Sequence, residues 1–251
     1  MGGAIAKGLS QGFLVAPSEI TVTAATRRTL DAVKQFNGEI NTTTDNRAAV
    51  EGADLVILAV KPWLIDRIAA EIKPGIGPDQ ILVSVAAGVP FEHLERLFEE
   101  EGRVPAMFRA VPNTAVAIGE SMTTVASYRA TAEQERLVLS VFDELGKSIK
   151  VEERQIEAAT ALGSCGTAFA LRYMRAAMEG GIEMGLHAAL SRDIVAQTVK
   201  GAAELLLRHH THPEEEIDKV TTPGGITIKG LNEMERAGFS SAVIRGLKAS
   251  K

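Results

Sequence analysis

Cysteine occurs once in the chain, so no internal disulfide can form, and the disulfide-built scaffolds of oxidising compartments are excluded. Long apolar runs are missing too. A stretch such as Leu55 to Val60 is far short of the roughly 20 apolar residues that span a bilayer as a helix. The N-terminus has no basic region followed by an apolar one, so it does not read as a secretory signal. Nor is there an excess of positive charge. The formal net charge is -5, which gives no electrostatic footprint for nucleic acid or for an anionic membrane surface. These absences point to a cytoplasmic protein whose partner is a small molecule.

What is present is enough to build a globular protein. A length of 251 residues with 45% hydrophobic and 24% charged residues suffices for one or two domains, each with a sizeable core. The first half alternates short apolar runs with amphipathic stretches. ITVTAAT (Ile20 to Thr26), LVILAV (Leu55 to Val60), ILVSVAAG (Ile81 to Gly88), MFRAV (Met107 to Val111) and a closing SIKV read as strands. RRTLDAVKQF reads as a helix between the first two. The unbroken apolar character of LVILAV fits a strand covered on both faces, as parallel sheets require, and the alternation predicts a doubly wound α/β domain. Thr131 to Gln134 forms a capping-box pattern ahead of Leu137, Val138, Val141, Phe142 and Leu145, with Gly146 placed to stop that helix.

From about Glu152 the strand signals disappear and helical stretches rich in Ala and Met follow. The expected division is therefore a dinucleotide-binding α/β domain over residues 1–151 and an all-helical domain over 152–251. MRAAMEGGIEMGL places Met174, Met178, Ile182 and Leu186 on one helical face, which reads as packing, including packing between subunits. About one hundred residues of helices with few aromatics bury their apolar faces more completely against a second copy, so an oligomer is expected.

The chain opens MGGAIAKGL, a glycine pair directly before a helix. In an α/β domain such a start reads as the back half of a G-x-G-x-x-G phosphate loop, with Gly2 as the third glycine, the one that lets the helix pack closely on a strand. The helix N-terminus would then supply amides and a positive dipole end to a pyrophosphate. No strand and no first two glycines precede Gly2. The central strand of the sheet would be missing and its two neighbours left with unpaired edges; the expectation is that the natural product starts roughly ten residues earlier. At the end of the next strand, Thr26, Arg27 and Arg28 offer a hydroxyl and guanidinium groups, which suit a 2′-phosphate. NADPH is favoured, with NADH possible.

Four further stretches are distinctive: TTDNRAAVEGADLVILAVKP (Thr43 to Pro62), VSVAAGV (Val83 to Val89), FRAVPNTAVAIGE (Phe108 to Glu120) and HPEEEIDKVTTPGGITIKGLNEME (His212 to Glu235). With MGGAIAKGL in front, these resemble pyrroline-5-carboxylate reductases in order and spacing across nearly the whole chain. The chemistry of the last stretch is readable without that name. Pro223, Gly224 and Gly225 make a tight entry into a helix beginning near Ile226, whose N-terminal amides suit a small carboxylate, and Thr227 adds a hydroxyl. The resemblance implies reduction of a five-membered cyclic imine carboxylate to proline by hydride from NADPH. It also implies that the amides around Gly224 and Gly225 hold the carboxylate and that Thr227 bonds the ring nitrogen, with Thr222 completing the catalytic set. Ala59, Val60, Lys61 and Pro62 would meet the nicotinamide ribose, Asn46 the adenine-side nucleotide, and Pro112, Asn113 and Thr114 the nicotinamide side. Lys61 reads equally as a surface cation. Family members form dimers through the helical domain, and often larger rings.

Where the family carries a Gly-Ser-Gly-Pro-Ala-Tyr turn, this chain has Ser164, Cys165, Gly166, Thr167, Ala168 and Phe169, which changes the backbone choices there. A lone Cys165 with no base nearby in sequence reads as packing. His209, His210 and His212 precede a carboxylate-rich stretch and read as a loop; no metal is expected. Two alternatives stand beside the imine reductase: a reductase of another imine or keto acid, motivated by SCGTAF, and a non-catalytic homologue that keeps the helical dimer.

Overall fold

Seven strands form, five of them where the apolar runs predict and two, Asn41–Thr43 and Ser121–Tyr128, where no strand was expected; a computed structural model describes all residues 1–251. The chain divides into two compact units, Met1–Ser164 and Cys165–Lys251.

The first unit runs α1 (Gly2–Leu9), β1 (Thr21–Thr23), α2 (Arg27–Phe36), β2 (Asn41–Thr43), α3 (Asn46–Val50), β3 (Leu55–Leu58), α4 (Ile65–Ile72), β4 (Ile81–Ser84), α5 (Phe91–Phe98), β5 (Ala106–Val111), β6 (Ser121–Tyr128), α6 (Ala132–Asp143), β7 (Gly146–Lys150) and α7 (Ile156–Thr160). The strands form two sheets. β1 pairs in parallel with β2 alone, and a five-stranded sheet has the order β3-β4-β5-β6-β7. β3, β4 and β5 run parallel, β6 is antiparallel to β5, and β7 is parallel to β6. β1 and β3 each have a strand neighbour on one side only. The sheet is thus mixed, because β6 returns through a short 3₁₀ turn, Thr114–Ile118, that leaves no room for a crossover helix.

Side chains alternate between two covered faces. On one face Leu58, Leu82, Met107 and Ala126 pack with Ile65, Ala69 and Ile72 of α4, Leu94 and Phe98 of α5, and Ile156 of α7. On the other, Val83, Phe108, Ala110 and Val125 pack with Ile5 and Leu9 of α1 and with Val138, Val141 and Phe142 of α6. The composition shift at Glu152 marks where strands end, yet Ile156 sits in the sheet core, so the first compact unit continues to Ser164.

Local signals are obeyed where they are strong. The α6 capping box is formed: Thr131 Oγ1 accepts from the Gln134 amide at 3.2 Å and Gln134 Oε1 from the Thr131 amide at 2.9 Å. Gly146 opens β7 rather than ending α6, which stops at Asp143. The SCGTAF stretch is no turn: Ala161–Cys165 is π-helical and Gly166 begins the next α-helix. Without proline or a second small glycine, nothing there interrupts the helical hydrogen bonding.

The second unit holds α8 (Gly166–Glu183), α9 (Ala188–His209), α10 (Pro213–Val220), α11 (Ile226–Arg236) and α12 (Phe239–Ala249). No hydrophobic residue of this unit is buried; only Gly181 and Ser191 are, where α8 meets α9. Met174 and Met178 are half-buried, Ile182 is exposed, and Leu186 lies beyond the end of α8 and is exposed as well. No helix is long and apolar enough to cross a membrane.

Glu135 ties three elements of the first unit together. Its Oε1 accepts from Ser127 Oγ of β6 and from Lys150 Nζ of β7, each at 2.6 Å. The Lys150 hydrogen bond first, and the Ser127 bond second, hold this carboxyl below the usual carboxylate range. The stabilisation is therefore present above the ordinary Glu value and is lost as pH falls through the lowered one. Glu135→Gln is expected to lower the melting temperature by about 1–4 °C at neutral pH. Thermal melts across pH should show that difference shrinking in acid.

Candidate functional site

The parallel strands place their carboxyl ends, and the residues that follow them, on one edge of each sheet, where open α/β folds bind ligands. α1 packs hard against the residue after β3: a Cβ on Gly2 would stand 2.9 Å from Cβ of Ala59. That close approach is the task expected of the third glycine of a phosphate loop. Ala59 and Val60 are half-buried beside it. Lys61 is exposed, with Nζ 5.9 Å from the ring centre of Trp63, and Pro62 opens a 3₁₀ turn, Pro62–Leu64.

After β1, the N-terminus of α2 has no side-chain cap. Thr26 Oγ1 instead shares a hydrogen with Thr29 Oγ1 at 3.0 Å. Arg27 and Arg28 are exposed, and no carboxylate of the protein holds either guanidinium. An uncapped helix start with two free cations and a hydroxyl fits a phosphate ester. The residues at the carboxyl ends of β1 and β3 therefore suit a phosphorylated dinucleotide.

Asn46 is the first residue of α3, and Asp45 caps that helix by accepting from the amides of Arg47 at 2.9 Å and Ala48 at 3.2 Å. Asn46 Nδ2 donates to Glu71 Oε2 of α4 at 3.1 Å, and Arg47 Nε donates to the Glu71 carbonyl at 3.0 Å. Asn113, after β5, is buried and committed inside the protein. Its Oδ1 accepts from the Ala115 amide at 2.9 Å, and its Nδ2 donates to the Gly163 carbonyl at 3.0 Å. Its own amide donates to Ser121 Oγ at 3.1 Å. Asn113 thus shapes the Pro112–Thr114 turn and holds the π-helical segment.

In the second unit the Thr-Thr-Pro-Gly-Gly run joins α10 to α11. Gly224 has φ +72°, which favours glycine, and the Gly225 amide donates to the Thr222 carbonyl at 2.9 Å. A Cβ on Gly225 would lie 2.7 Å from Thr222 Oγ1 and 2.9 Å from its carbonyl oxygen, so only glycine closes this turn. The Gly225 amide is consumed by the turn, and the open donors belong to the first turn of α11. That helix has no side-chain cap and no acidic residue in its first turn. Thr222 and Thr227 are both exposed there. The result is a rigid, positively polarised helix start with a hydroxyl beside it, suited to a small carboxylate.

The three histidines act as helix ends. His209 closes α9, His210 follows in the left-handed region, and His212 Nδ1 caps α10 by accepting from the Glu214 amide at 3.2 Å. No group of three His, Cys, Asp or Glu is placed to hold a metal ion. Glu71 and Gly163, which hold two of the candidate residues, escape a reading of the sequence because they lie 25 and 50 positions from the side chains they bind. No local spacing signals them.

Residues 153–251 match the family model described as pyrroline-5-carboxylate reductase dimerisation, and residues 1–88 match that of the coenzyme F420-dependent NADP oxidoreductases. Pyrroline-5-carboxylate reductase 1 of Dictyostelium discoideum is 41% identical over 100% of this chain, which spans 47% of that protein's length. Pyrroline-5-carboxylate reductase 2 of the same organism is 37% identical over 100% of this chain and 87% of its own length. The crystal structure of Plasmodium falciparum pyrroline carboxylate reductase with NADP bound has the same fold: TM-score 0.88 and 24% identity, covering 100% of this chain and 91% of that one. On the length and identity of these matches, the chain belongs to the pyrroline-5-carboxylate reductase family.

Proposed function

We propose that the protein reduces 1-pyrroline-5-carboxylate to proline with NADPH, NADH serving less well, as the last step of proline synthesis. The observation that carries this reading is the Thr222–Thr227 run: two glycines, Gly224 required by its positive φ and Gly225 by the room its Cβ would take from Thr222, present an uncapped helix start with Thr227 beside it. When bound, NADPH supplies a hydride to the imine carbon. The chain's own work is to bind and orient. The open amides of the first turn of α11 hold the substrate carboxylate, Gly224 and Gly225 shape that turn together with Thr222, and the Thr227 hydroxyl bonds the ring nitrogen. No strong general acid is required, because such an imine can be protonated before it binds.

On the cofactor side, Gly2 brings the amides of α1 close to the end of β3, where Ala59, Val60, Lys61 and Pro62 border the nicotinamide ribose. Thr26 and Arg27 receive the 2′-phosphate and Asn46 the adenine-side nucleotide. Asn113 serves from behind, through its hold on the turn that lines the nicotinamide side. The protein works in the cytoplasm, where its single thiol stays reduced. It works as a homodimer, or a ring of dimers, joined through the helical unit. The absence of any buried hydrophobic residue between Cys165 and Lys251 supports this, because Leu171, Leu190, Ile194, Leu207 and Ile244 stay exposed until a second copy covers them.

Purified protein mixed with NADPH and pyrroline-5-carboxylate is expected to consume NADPH and to yield proline; NADPH binding without turnover would remove the substrate assignment. Thr227→Val should cut kcat/KM for the imine by about 10- to 100-fold, because a hydrogen bond to a charged group is lost, and leave the dissociation constant for NADPH unchanged. Arg27→Ala with Arg28→Ala should raise KM for NADPH by about tenfold or more while leaving KM for NADH alone. Light scattering on the eluting peak should give at least twice the 26.7 kDa chain mass, and a monomer would overturn the interface.

A further inference from the structure

We infer that Glu71 is a positioning residue for the dinucleotide, acting through the side-chain amide of Asn46. This rests on the proposal that Asn46 meets the adenine side of the cofactor. An Asn amide can point either end outward, and a free one presents acceptor and donor alike. Here the choice is made by the protein. A carboxylate only accepts, so the Glu71 Oε2 contact at 3.1 Å requires Nδ2 to face α4 and turns Oδ1 to the other side. Oδ1 receives no hydrogen bond from the protein, and the residue is only half-buried.

The helix around it offers little else. Asp45 takes the Arg47 and Ala48 amides, which leaves the backbone amide of Asn46 itself as the one open donor at the start of α3, against the two or three that a phosphate-binding helix start offers. What the Asn46 side chain presents is a carbonyl oxygen of fixed direction after the carboxyl end of β2. Such a group selects a hydrogen-bond donor and repels an acceptor-only phosphate. On the adenosine half of the dinucleotide the donors are the base amino group and the ribose hydroxyls. The division of labour follows from the geometry: the start of α2, with Arg27 and Arg28, takes the phosphate, and Asn46 takes a donor on the same half.

Glu71→Ala removes the constraint with little other damage. The bond from Arg47 Nε goes to the backbone carbonyl of residue 71 and survives the substitution. The expected result is a dissociation constant for NADPH, measured calorimetrically, about three- to tenfold higher, with kcat at saturating NADPH and KM for the imine unchanged. Asn46→Ala should weaken binding by at least as much, and the double variant should be no weaker than Asn46→Ala alone. Glu71→Met, which keeps side-chain length and helix propensity within α4, repeats the measurement should the alanine variant melt early. The hypoxanthine analogue of NADPH carries a carbonyl in place of the base amino group. With it, disappearance of the Glu71 effect assigns the donor to the base, and persistence assigns it to the ribose, each in support. Unchanged NADPH affinity in both Glu71 variants, or additive losses in the double variant, overturns the inference. If the unsubstituted protein binds no NADPH, it is the proposed function that fails.

Discussion

Coverage of β4 and β5 on both faces is the constraint from which the rest of the first unit follows. Leu82 and Met107 face α4 and α5, while Val83 and Phe108 face α1 and α6, and all four are almost fully buried. Burial of this kind contributes about 1.5–3 kcal/mol per large side chain, and it fixes register as well as stability, since a slip of one residue would exchange the two faces. With register fixed, the strand ends are fixed too. Ala59 after β3 and Asn113 after β5 therefore stand at set heights along one sheet edge, and their own contacts, Ala59 with Gly2 and Asn113 with Ala115, Ser121 and Gly163, add to that placement.

At those ends the side chains divide by what they have left to offer. Asn113 has its amide nitrogen and oxygen engaged by Gly163 and Ala115, and it shapes backbone. Asn46 has only its nitrogen engaged. Gly225 has its amide closed into a turn, whereas the first turn of α11 keeps its donors open. Residues of the same type in the same kind of loop thus play different parts, and the difference lies in a count of satisfied polar atoms rather than in residue identity.

The fold was legible where local chemistry and tertiary packing agree. RRTLDAVKQF is helical over Arg27–Phe36 as its pattern suggests, and the Thr131 capping box starts α6. Two strands were not legible. β2 is a three-residue polar segment, Asn41–Thr43, with no apolar alternation to reveal it. β6 buries Ser121, Thr123 and Thr124, so its inward positions read as polar and its length is hidden. Burying Ser121 is tolerated because its hydroxyl accepts from the Asn113 amide. Of the candidate site, the Thr-Thr-Pro-Gly-Gly run and the Gly2 contact were legible because each depends on the size of glycine alone. The hold of Glu71 on Asn46 was not, because the two meet only after α3 and α4 have packed.

The lack of any fully buried hydrophobic residue in the helical unit also bears on how this chain tolerates change. In the two-fold assembly proposed for this chain each interface position occurs twice, so one codon alters two sites of the same interface. A substitution that weakens a helix face by a given amount weakens the pair by about double, and a favourable one is doubled likewise. In that assembly, drift in α8 to α12 acts twice on one shared interface, whereas drift in the sheet acts once on each of two separate cores, which each copy buries for itself.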